Sequence, residues 1–562
     1  MDSEKHRTVF YNGTVATVNK ENAFCEAIAV EGDRILAVGS SAEMLSLAGP
    51  DAERIDLKGA LLLPGIHDSH LHAADYANNL THFACDRSRS IAALQEGLRQ
   101  YAQRTDAPWV LGNGVLQEVL DEGLNCRDLD AAVPDRPCVL VMWHGHGCVL
   151  NSAALRVNGV TSATPDPDGG VIEHFPDGEP SGVMQEASAL QLSFRSMQTL
   201  SVEQIADRLK DMQRFMNSMG YTAFTDSTVG PANNAREGGA SGENALKAYC
   251  RLLADGEMTC RVSVGFYSGR NGVQNADFLR EDLAAGAVPV SADEDWLSFH
   301  MLKFFCDGVE TAGTAWLKED YKNRPGWRGR SVFGGAESGE AEQIAVLRET
   351  LKLAHGAGYQ IGIHTVGDRA VHEAIMAILA AKADDPREDC RHCLIHGEEE
   401  IDDGDLLLCR ENGIIISAQP NLWDSILETD FETIGIEKTA SSMRLRTIFD
   451  AGVTAAGGSD SIAGDFADWR RGVCSAVTRR AACDGKVYRP DLAISVEEAV
   501  RMYTINAAYQ EFAEDRRGSL EPGKFADLTV VDRNIFTIDP EEIPDVQVLR
   551  TVVGGRTVFL RD

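Results

Sequence analysis

The stretch Leu61-Leu62-Leu63-Pro64-Gly65-Ile66-His67-Asp68-Ser69-His70-Leu71-His72 sets the reading of the whole chain. Its leucines make a short apolar run that ends in polar residues, the pattern of a buried strand reaching its carboxyl end. In extended chain, residues i and i+2 face the same side, so His70 and His72 project together and can grip one cation. A His-x-His pair by itself arises often by chance. Directly after a buried strand it carries far more weight.

Working outward from Ala60–Ile66, the same kind of run recurs at Thr222–Asp226, Arg261–Phe266, Leu297–Phe305, Tyr359–Ile363, Cys393–Ile395, Ile414–Ala418 and Thr454–Gly457. Helical stretches lie between them. Ser201-x-x-Gln204 is a capping box followed by Ile205, Leu209, Met212 and Met216 on one face, and Ser495-x-x-Glu498 opens another helix. Arg369–Lys382 places Val371, Ile375, Ile378 and Leu379 on a single stripe. Eight strands alternating with helices predict an α/β fold, a (β/α)8 TIM-like barrel with its active site at the C-terminal strand ends. A doubly wound open sheet is the competing fold, but no glycine-rich phosphate loop follows the first strand.

The two ends of the chain read differently. Thr8–Tyr11, Thr14–Val18, Ala27–Glu31 and Arg34–Val38 are short strands separated by Asn12-Gly13 and Gly32-Asp33, which are hairpin punctuation. Gly518–Gly523, Ala526–Asp532, Val546–Val553 and Thr557–Leu560 look alike, with a Gly554-Gly555 turn. Neither end has apolar area enough for a stable domain alone. The economical arrangement is one small β-sandwich from residues 1–60 and 518–562, bracketing a barrel over 61–517. Residues 73–220 then form a large insertion after the first barrel strand, far beyond an ordinary crossover, and are expected to shape the substrate pocket. Trp109, Trp143, His144, His146 and Asn151 are unusual residues for a passive linker.

Composition narrows the function. The 562 residues carry 53 Lys+Arg against 86 Asp+Glu, a net charge of −33, which argues against nucleic-acid or anionic-membrane partners and fits work on small molecules. Hydrophobic residues make up 44%, ample for a packed core, and no apolar run is long enough to span a membrane. Met1–Arg7 lacks the apolar core of a signal peptide, and an odd count of 13 cysteines reads as reduced thiols, so a cytoplasmic location is expected. Cys390 and Cys393 have CxxC spacing without a second pair or a thioredoxin-like context. They are read as thiols entering a buried strand.

Four more positions carry ligand-type chemistry. Lys303 sits inside Met301–Phe305, where an ammonium is costly to bury. Either it snorkels or pairs with a neighbour such as Asp307, or its neutral amine reacts with carbon dioxide to give a carbamate that bridges two metals. His364 and His396 end successive strands, and beside His70 and His72 they read as ligands rather than satisfied core histidines. Asp460, in Gly457-Gly458-Ser459-Asp460, ends the eighth strand. It can bind metal and take a proton from its water, or it can simply cap the next helix.

This constellation resembles the amidohydrolase superfamily, and within it the amidohydrolase-3 branch of YtcJ-like proteins and N-substituted formamide deformylases. The resemblance spans nearly the whole chain. It rests on Leu63-Pro64-Gly65 with Asp68-Ser69-His70-Leu71-His72, Asn151-Ser152 with Ala154-Leu155, Gly182–Ala187, Lys303-Phe304 with Asp307-Gly308, Ile363-His364 with Gly367-Asp368, Ile395-His396, Gly458-Ser459-Asp460 and the tail Gly518–Leu528. The resemblance implies one or two divalent metal ions, zinc foremost. His70 and His72 would hold the more buried ion, His364 and His396 the more exposed one, and Lys303 would be N6-carboxylated and shared between them. It gives Asp460 the roles of ligand and proton carrier. Glu186 matches the branch's Gly-x-x-x-Glu-Ala motif and is a metal ligand, a partner of a liganding histidine, or a helix-start carboxylate. His146 falls where the branch has Gly-His and is the leading contact to substrate or oxyanion, with His144 and Trp143 as neighbours. His67 departs from the branch, which has an apolar residue there, and is read as a hydrogen-bonded core or rim histidine. Asp226 is either a partner of a ligand or a helix cap, and His372 and His392 are structural.

The expected activity is metal-dependent hydrolysis of a non-peptide C–N bond (amide, formamide, lactam or cyclic imide) in a small molecule, by metal-activated hydroxide. A heterocycle deaminase and an ester or lactone hydrolase are rivals on the same site, and a catalytically dead barrel acting as a binding protein is the non-enzyme alternative. Loops near Trp316, Trp327 and Trp423, with the insertion, are expected to line the pocket, and Trp423 to touch substrate. A homodimer follows only from family habit.

Overall fold

The computed structural model describes residues 6–143, 145, 147–167, 170–231, 240–270, 273–334, 338–462 and 467–562. Its centre is an eight-stranded parallel sheet: β1 (Ile66–Leu71), β2 (Tyr221–Val229), β3 (Arg261–Tyr267), β4 (Leu297–Phe305), β5 (Gln360–His364), β6 (Cys393–Ile395), β7 (Ile415–Ala418) and β8 (Ala455–Gly457). Each strand pairs with the next in order. The seam between β8 and β1 is bridged by the chain leaving β8: Ser459 N and Asp460 N donate to His70 O at 3.1 and 2.7 Å, and His72 N donates to Ser461 O at 3.1 Å. Gly458 permits that approach, since a Cβ there would lie 2.8 Å from the His70 backbone nitrogen.

The first barrel strand is displaced from its sequence reading. Leu61–Pro64 is not in the barrel; it pairs antiparallel with Leu528–Val531 and parallel with Thr14–Ala16. The barrel strand is the polar Ile66–Leu71, with every residue buried. Leucine runs announce a buried strand, but Leu61 and Leu63 face the barrel core while Leu62 enters the core of the terminal sheets. The alternation shows a strand wedged between two layers.

Chain ends interleave in two sheets. A four-stranded sheet runs Arg34–Gly39, Ala27–Glu31, Arg7–Tyr11, Glu53–Asp56, and a six-stranded one runs Arg556–Leu560, Val548–Val553, Leu528–Val531, Leu61–Pro64, Thr14–Ala16, Phe24–Cys25. Phe10, Ile28 and Val30 of one meet Val15, Leu528 and Val530 of the other. Gly518–Gly523 is turn and coil rather than strand. Beneath it, Arg261 of β3 forms a bidentate pair with Asp527 (2.7 and 3.2 Å), both fully buried. Removing one partner strands a desolvated charge, so Asp527→Ala is expected to cost about 3–5 kcal/mol in urea unfolding.

In the same layer of the barrel, His67 meets Glu511 at 2.9 Å, and Thr225 and Arg517 also bond that carboxylate. Burial alone would raise Glu511, but His67 and Arg517 hold it at about 2, below the ordinary 4.5. A depressed carboxyl pKa stabilises the fold above pH 4.5, and that contribution is lost as pH falls toward 2. Glu511→Gln is therefore expected to lower Tm at pH 7 and to flatten its decline over that acid window.

The segment after β1 builds a sheet of its own, in the order Val171–His174, Pro180–Gln185, Gly147–Leu150, Cys138–Met142, Val110–Val115, Phe83–Ala84. Period-two alternation gives it two cores: Leu140 and Met142 pack with Leu94 and Leu98 of helix Ile91–Arg104, while Val139 and Val141 pack with Leu190 and Phe194 of helix Glu186–Phe194.

Candidate active site

The C-terminal ends of β1, β4, β5, β6 and β8 bring six of the predicted residues into one cup. His70 Nε2 and His72 Nε2 each lie 3.1 Å from Asp460 Oδ1, and His396 Nε2 lies 3.7 Å from Asp460 Oδ2. The His364 and His396 rings are 4.7 Å apart between centroids, and His70 and His396 5.6 Å. Lys303 is on the same inner face, its Nζ 4.7 Å from the Phe305 ring centroid.

Backbone partners of His72 and His364 fix which nitrogen each presents. The Ser227 carbonyl can only accept, so His72 donates Nδ1–H to it at 3.2 Å and keeps the Nε2 lone pair for the cup. His70 engages Ser227 Oγ through Nδ1 at 2.7 Å. His364 donates Nε2–H to Gly308 O at 3.1 Å, leaving Nδ1 as its lone pair. Burial pushes His70 and His364 down to about 3 and drives His396 well below its usual value, so these rings are neutral at pH 7. On His72 the lowering by burial is outweighed by Asp460, and its pKa rises. Burial would raise Asp460, yet His396 and His70 hold it well below the carboxylate range. Lys303 is brought down to about 7, chiefly by burial.

Several of these atoms are orphans. His70 Nε2, Asp460 Oδ1 and Lys303 Nζ are buried without a hydrogen-bond partner. With its Nδ1–H given to the Ser227 carbonyl, a neutral His72 faces Asp460 Oδ1 with a lone pair at 3.1 Å, and the two repel unless something positive lies between them. The donor set, imidazole nitrogen and carboxylate oxygen, is what zinc takes, so the residues fit a divalent cation. His396 and Asp460 also hold left-handed backbone, φ 67° and 53°, a conformation costly outside glycine.

Hydrogen bonds behind the side chains of the cup hold their backbone in place. Asp226 caps the N-terminus of helix Ala73–Asn79, accepting from Ala73 N (2.8 Å), Ala74 N (3.1 Å) and Tyr249 OH (2.5 Å), so the chain leaving His72 is pinned. Asp68 accepts from His70 N (3.1 Å) and Ser459 N (3.0 Å), tying the His-x-His turn to the Asp460 loop. Another His/Cys group, His355, Cys390 and His392, is self-sufficient. His355 Nε2 donates to Asp385 O, and His392 Nδ1 accepts from Ile361 N, which leaves His392 Nε2–H to bond His355 Nδ1 at 2.9 Å.

The cup opens into a cavity of about 230 Å3 whose walls include His72, His364, His396, Asp460 and Trp143. That is small even for ligand pockets, roughly 300–1,000 Å3. Trp423 does not line it. It is buried with the Arg479 guanidinium 4.5 Å over its ring, and its helix neighbours Leu422 and Ile426 face the cavity instead. Trp316 and Trp327 are also packing residues. His144 and His146 lie outside the described residues. Glu186 opens helix Glu186–Phe194, and its side chain is outside what the structure describes.

Residues 53–559 match the model of the amidohydrolase family, Amidohydro_3. The chain belongs to the amidohydrolase family. It is 26% identical to the putative amidohydrolase YtcJ of Bacillus subtilis (strain 168) over 559 residues, covering 98% of this chain and 99% of that one. To the N-substituted formamide deformylase of Arthrobacter pascens it is 27% identical over 559 residues, covering 97% and 96%. An uncharacterized metal-dependent hydrolase from Pyrococcus furiosus shares the fold, with a TM-score of 0.72 at 24% identity over 94% of this amidohydrolase and 100% of that chain. One from Pyrococcus horikoshii OT3 gives 0.74 at 22%, over 95% and 99%.

Proposed function

We propose that this amidohydrolase is a metal-dependent hydrolase of a non-peptide C–N bond in a small molecule, with formamides and other simple amides as its substrate class. The observation that carries the reading is the set of orphaned buried atoms, His70 Nε2, Asp460 Oδ1 and Lys303 Nζ, of which Asp460 lines a small cavity together with His72, His364 and His396. Likeness to a formamide deformylase over nearly the whole chain supports the bond type.

His70, His72, His364, His396 and Asp460 would hold one or two divalent ions, zinc foremost, with Lys303 as a carboxylated bridge. Such an ion supplies a Lewis acid that polarises a carbonyl and lowers the pKa of water toward neutrality. Asp460 accepts the proton that water loses as its oxygen joins the carbonyl carbon, then delivers it to the nitrogen as the C–N bond breaks. Acid and amine leave. His146 and Trp143 are assigned to the substrate, His146 at its carbonyl oxygen.

Metal analysis of the purified protein, with formate and amine release from a panel of N-formyl amines, tests this. Metal-free protein with no turnover would favour a binding role, and ammonia release from a heterocycle would make it a deaminase.

A further inference from the structure

The cavity has a second chemical feature that hydrolysis does not require. Glu310 follows β4, Glu399 follows β6, and Asp430 ends helix Pro420–Asp430 after β7; all three line the cavity beside the apolar side chains of Leu422 and Ile426. Lys438, whose charge also reaches Glu310, forms its ion pairs with other carboxylates, 2.8 Å from Glu400 and 3.7 Å from Asp368. Among the described residues no Lys, Arg or His forms an ion pair with Glu310, Glu399 or Asp430. Glu310 is 2% exposed, and its Oε1 is buried without a hydrogen-bond partner. A buried acceptor with nothing to accept from is expensive, and at the wall of a ligand cavity the missing donor belongs to the ligand.

We propose that Glu310, Glu399 and Asp430 form a receptor for a protonated amine carried by the substrate, so that the enzyme acts on small aminoalkyl amides. The proposal rests on reading this cavity as the substrate site of a C–N hydrolase. An ammonium presents three N–H donors, whereas a quaternary ammonium presents none and leaves the orphan oxygen unsatisfied. The apolar walls suit the alkyl chain between ammonium and scissile carbonyl. These carboxyls are pushed up, first by burial and then by neighbouring carboxylates, Glu400 foremost for Glu310 and for Asp430, Glu398 for Glu399, with Asp430 raised to about 8, so an arriving positive charge meets a site that gains by ionising. The protein's net charge of −33 draws cations toward it at long range.

Titration calorimetry on the zinc-loaded full-length protein compares n-pentylamine with 1-pentanol, and 5-aminopentanehydroxamate with pentanehydroxamate. Each amine is expected to bind roughly ten- to hundredfold tighter than its neutral partner. That advantage should shrink to below about threefold in Glu310→Gln and in Asp430→Asn, each checked for unchanged Tm and zinc content. Equal affinities in the wild type, or an advantage that survives both substitutions, would overturn the proposal. So would Mg2+ that displaces the amine and loses its binding in the same variants, since the wall would then be an inorganic cation site. Pentanehydroxamate, which needs only the metal, reports separately on the hydrolase reading. If it fails to bind while pentylamine keeps its Glu310-dependent advantage, the assigned chemistry falls and the ammonium site stands.

Discussion

Asp460→Asn is expected to lower kcat by about 10²–10⁴-fold on any amide the wild type hydrolyses, with KM changed little. An amide cannot take the proton from water or return it to the departing nitrogen, but it keeps the shape of the side chain. The backbone bonds that place it, Ser459 N and Asp460 N on His70 O, do not depend on the carboxylate, so the loop stays in position. Stopped assays of amine release, beside zinc analysis and a melting curve, separate loss of chemistry from loss of fold. A variant with full zinc, wild-type Tm and unaltered kcat would remove Asp460 as the proton carrier.

Metal removal is the second large effect. Dialysis against a chelator should abolish turnover and destabilise the protein, by about 4 kcal/mol where the starting zinc stood at a thousand times its Kd. Zinc should restore both. Lys303→Ala should lower zinc content, and short-chain carboxylic acids such as acetate or propionate should partly recover it by supplying the missing anion between the ions. Full occupancy in Lys303→Ala, with no response to added acid, would make Lys303 a structural lysine. Activity that survives exhaustive chelation would sink the metal reading altogether.

Seven of the eight barrel strands could be read from the sequence because each is a short apolar run that ends at a polar residue, and β4 agrees to the residue. The eighth could not, for an instructive reason. Ile66–Leu71 contains two histidines, an aspartate and a serine, so hydrophobicity points to the leucines ahead of it. A strand that carries the site on a buried surface looks like a loop in composition. The insertion's sheet was also missed, although Cys138–Met142 is a five-residue apolar run, since its partners Gly147–Leu150 and Pro180–Gln185 are short and broken by glycine and proline. The four histidines, Lys303 and Asp460, which the structure gathers in one cup, could be singled out in the sequence because the histidines and Asp460 lie at or just past strand ends and Lys303 interrupts an apolar strand. Ser227, which engages two of those histidines, gave no signal beyond its place near the end of β2. Trp423 misled because aromatic content says nothing about which way a ring turns on its helix. Glu310, Glu399 and Asp430 come from two turns and a helix end far apart in the chain, and no motif joined them in the sequence.

The seam between β8 and β1 sets a timetable for biosynthesis. Asp68 takes the Ser459 amide from 391 residues downstream, and Asp460 arrives with it. At roughly 5–20 residues per second, a ribosome needs about 20–80 s to make that stretch. Throughout that interval β1 has one open flank and its histidine pair lacks the carboxylate that completes the cup. That flank of β1 is therefore open in the nascent chain until the last barrel strand is made, and the cup is among the last parts of the molecule to be completed.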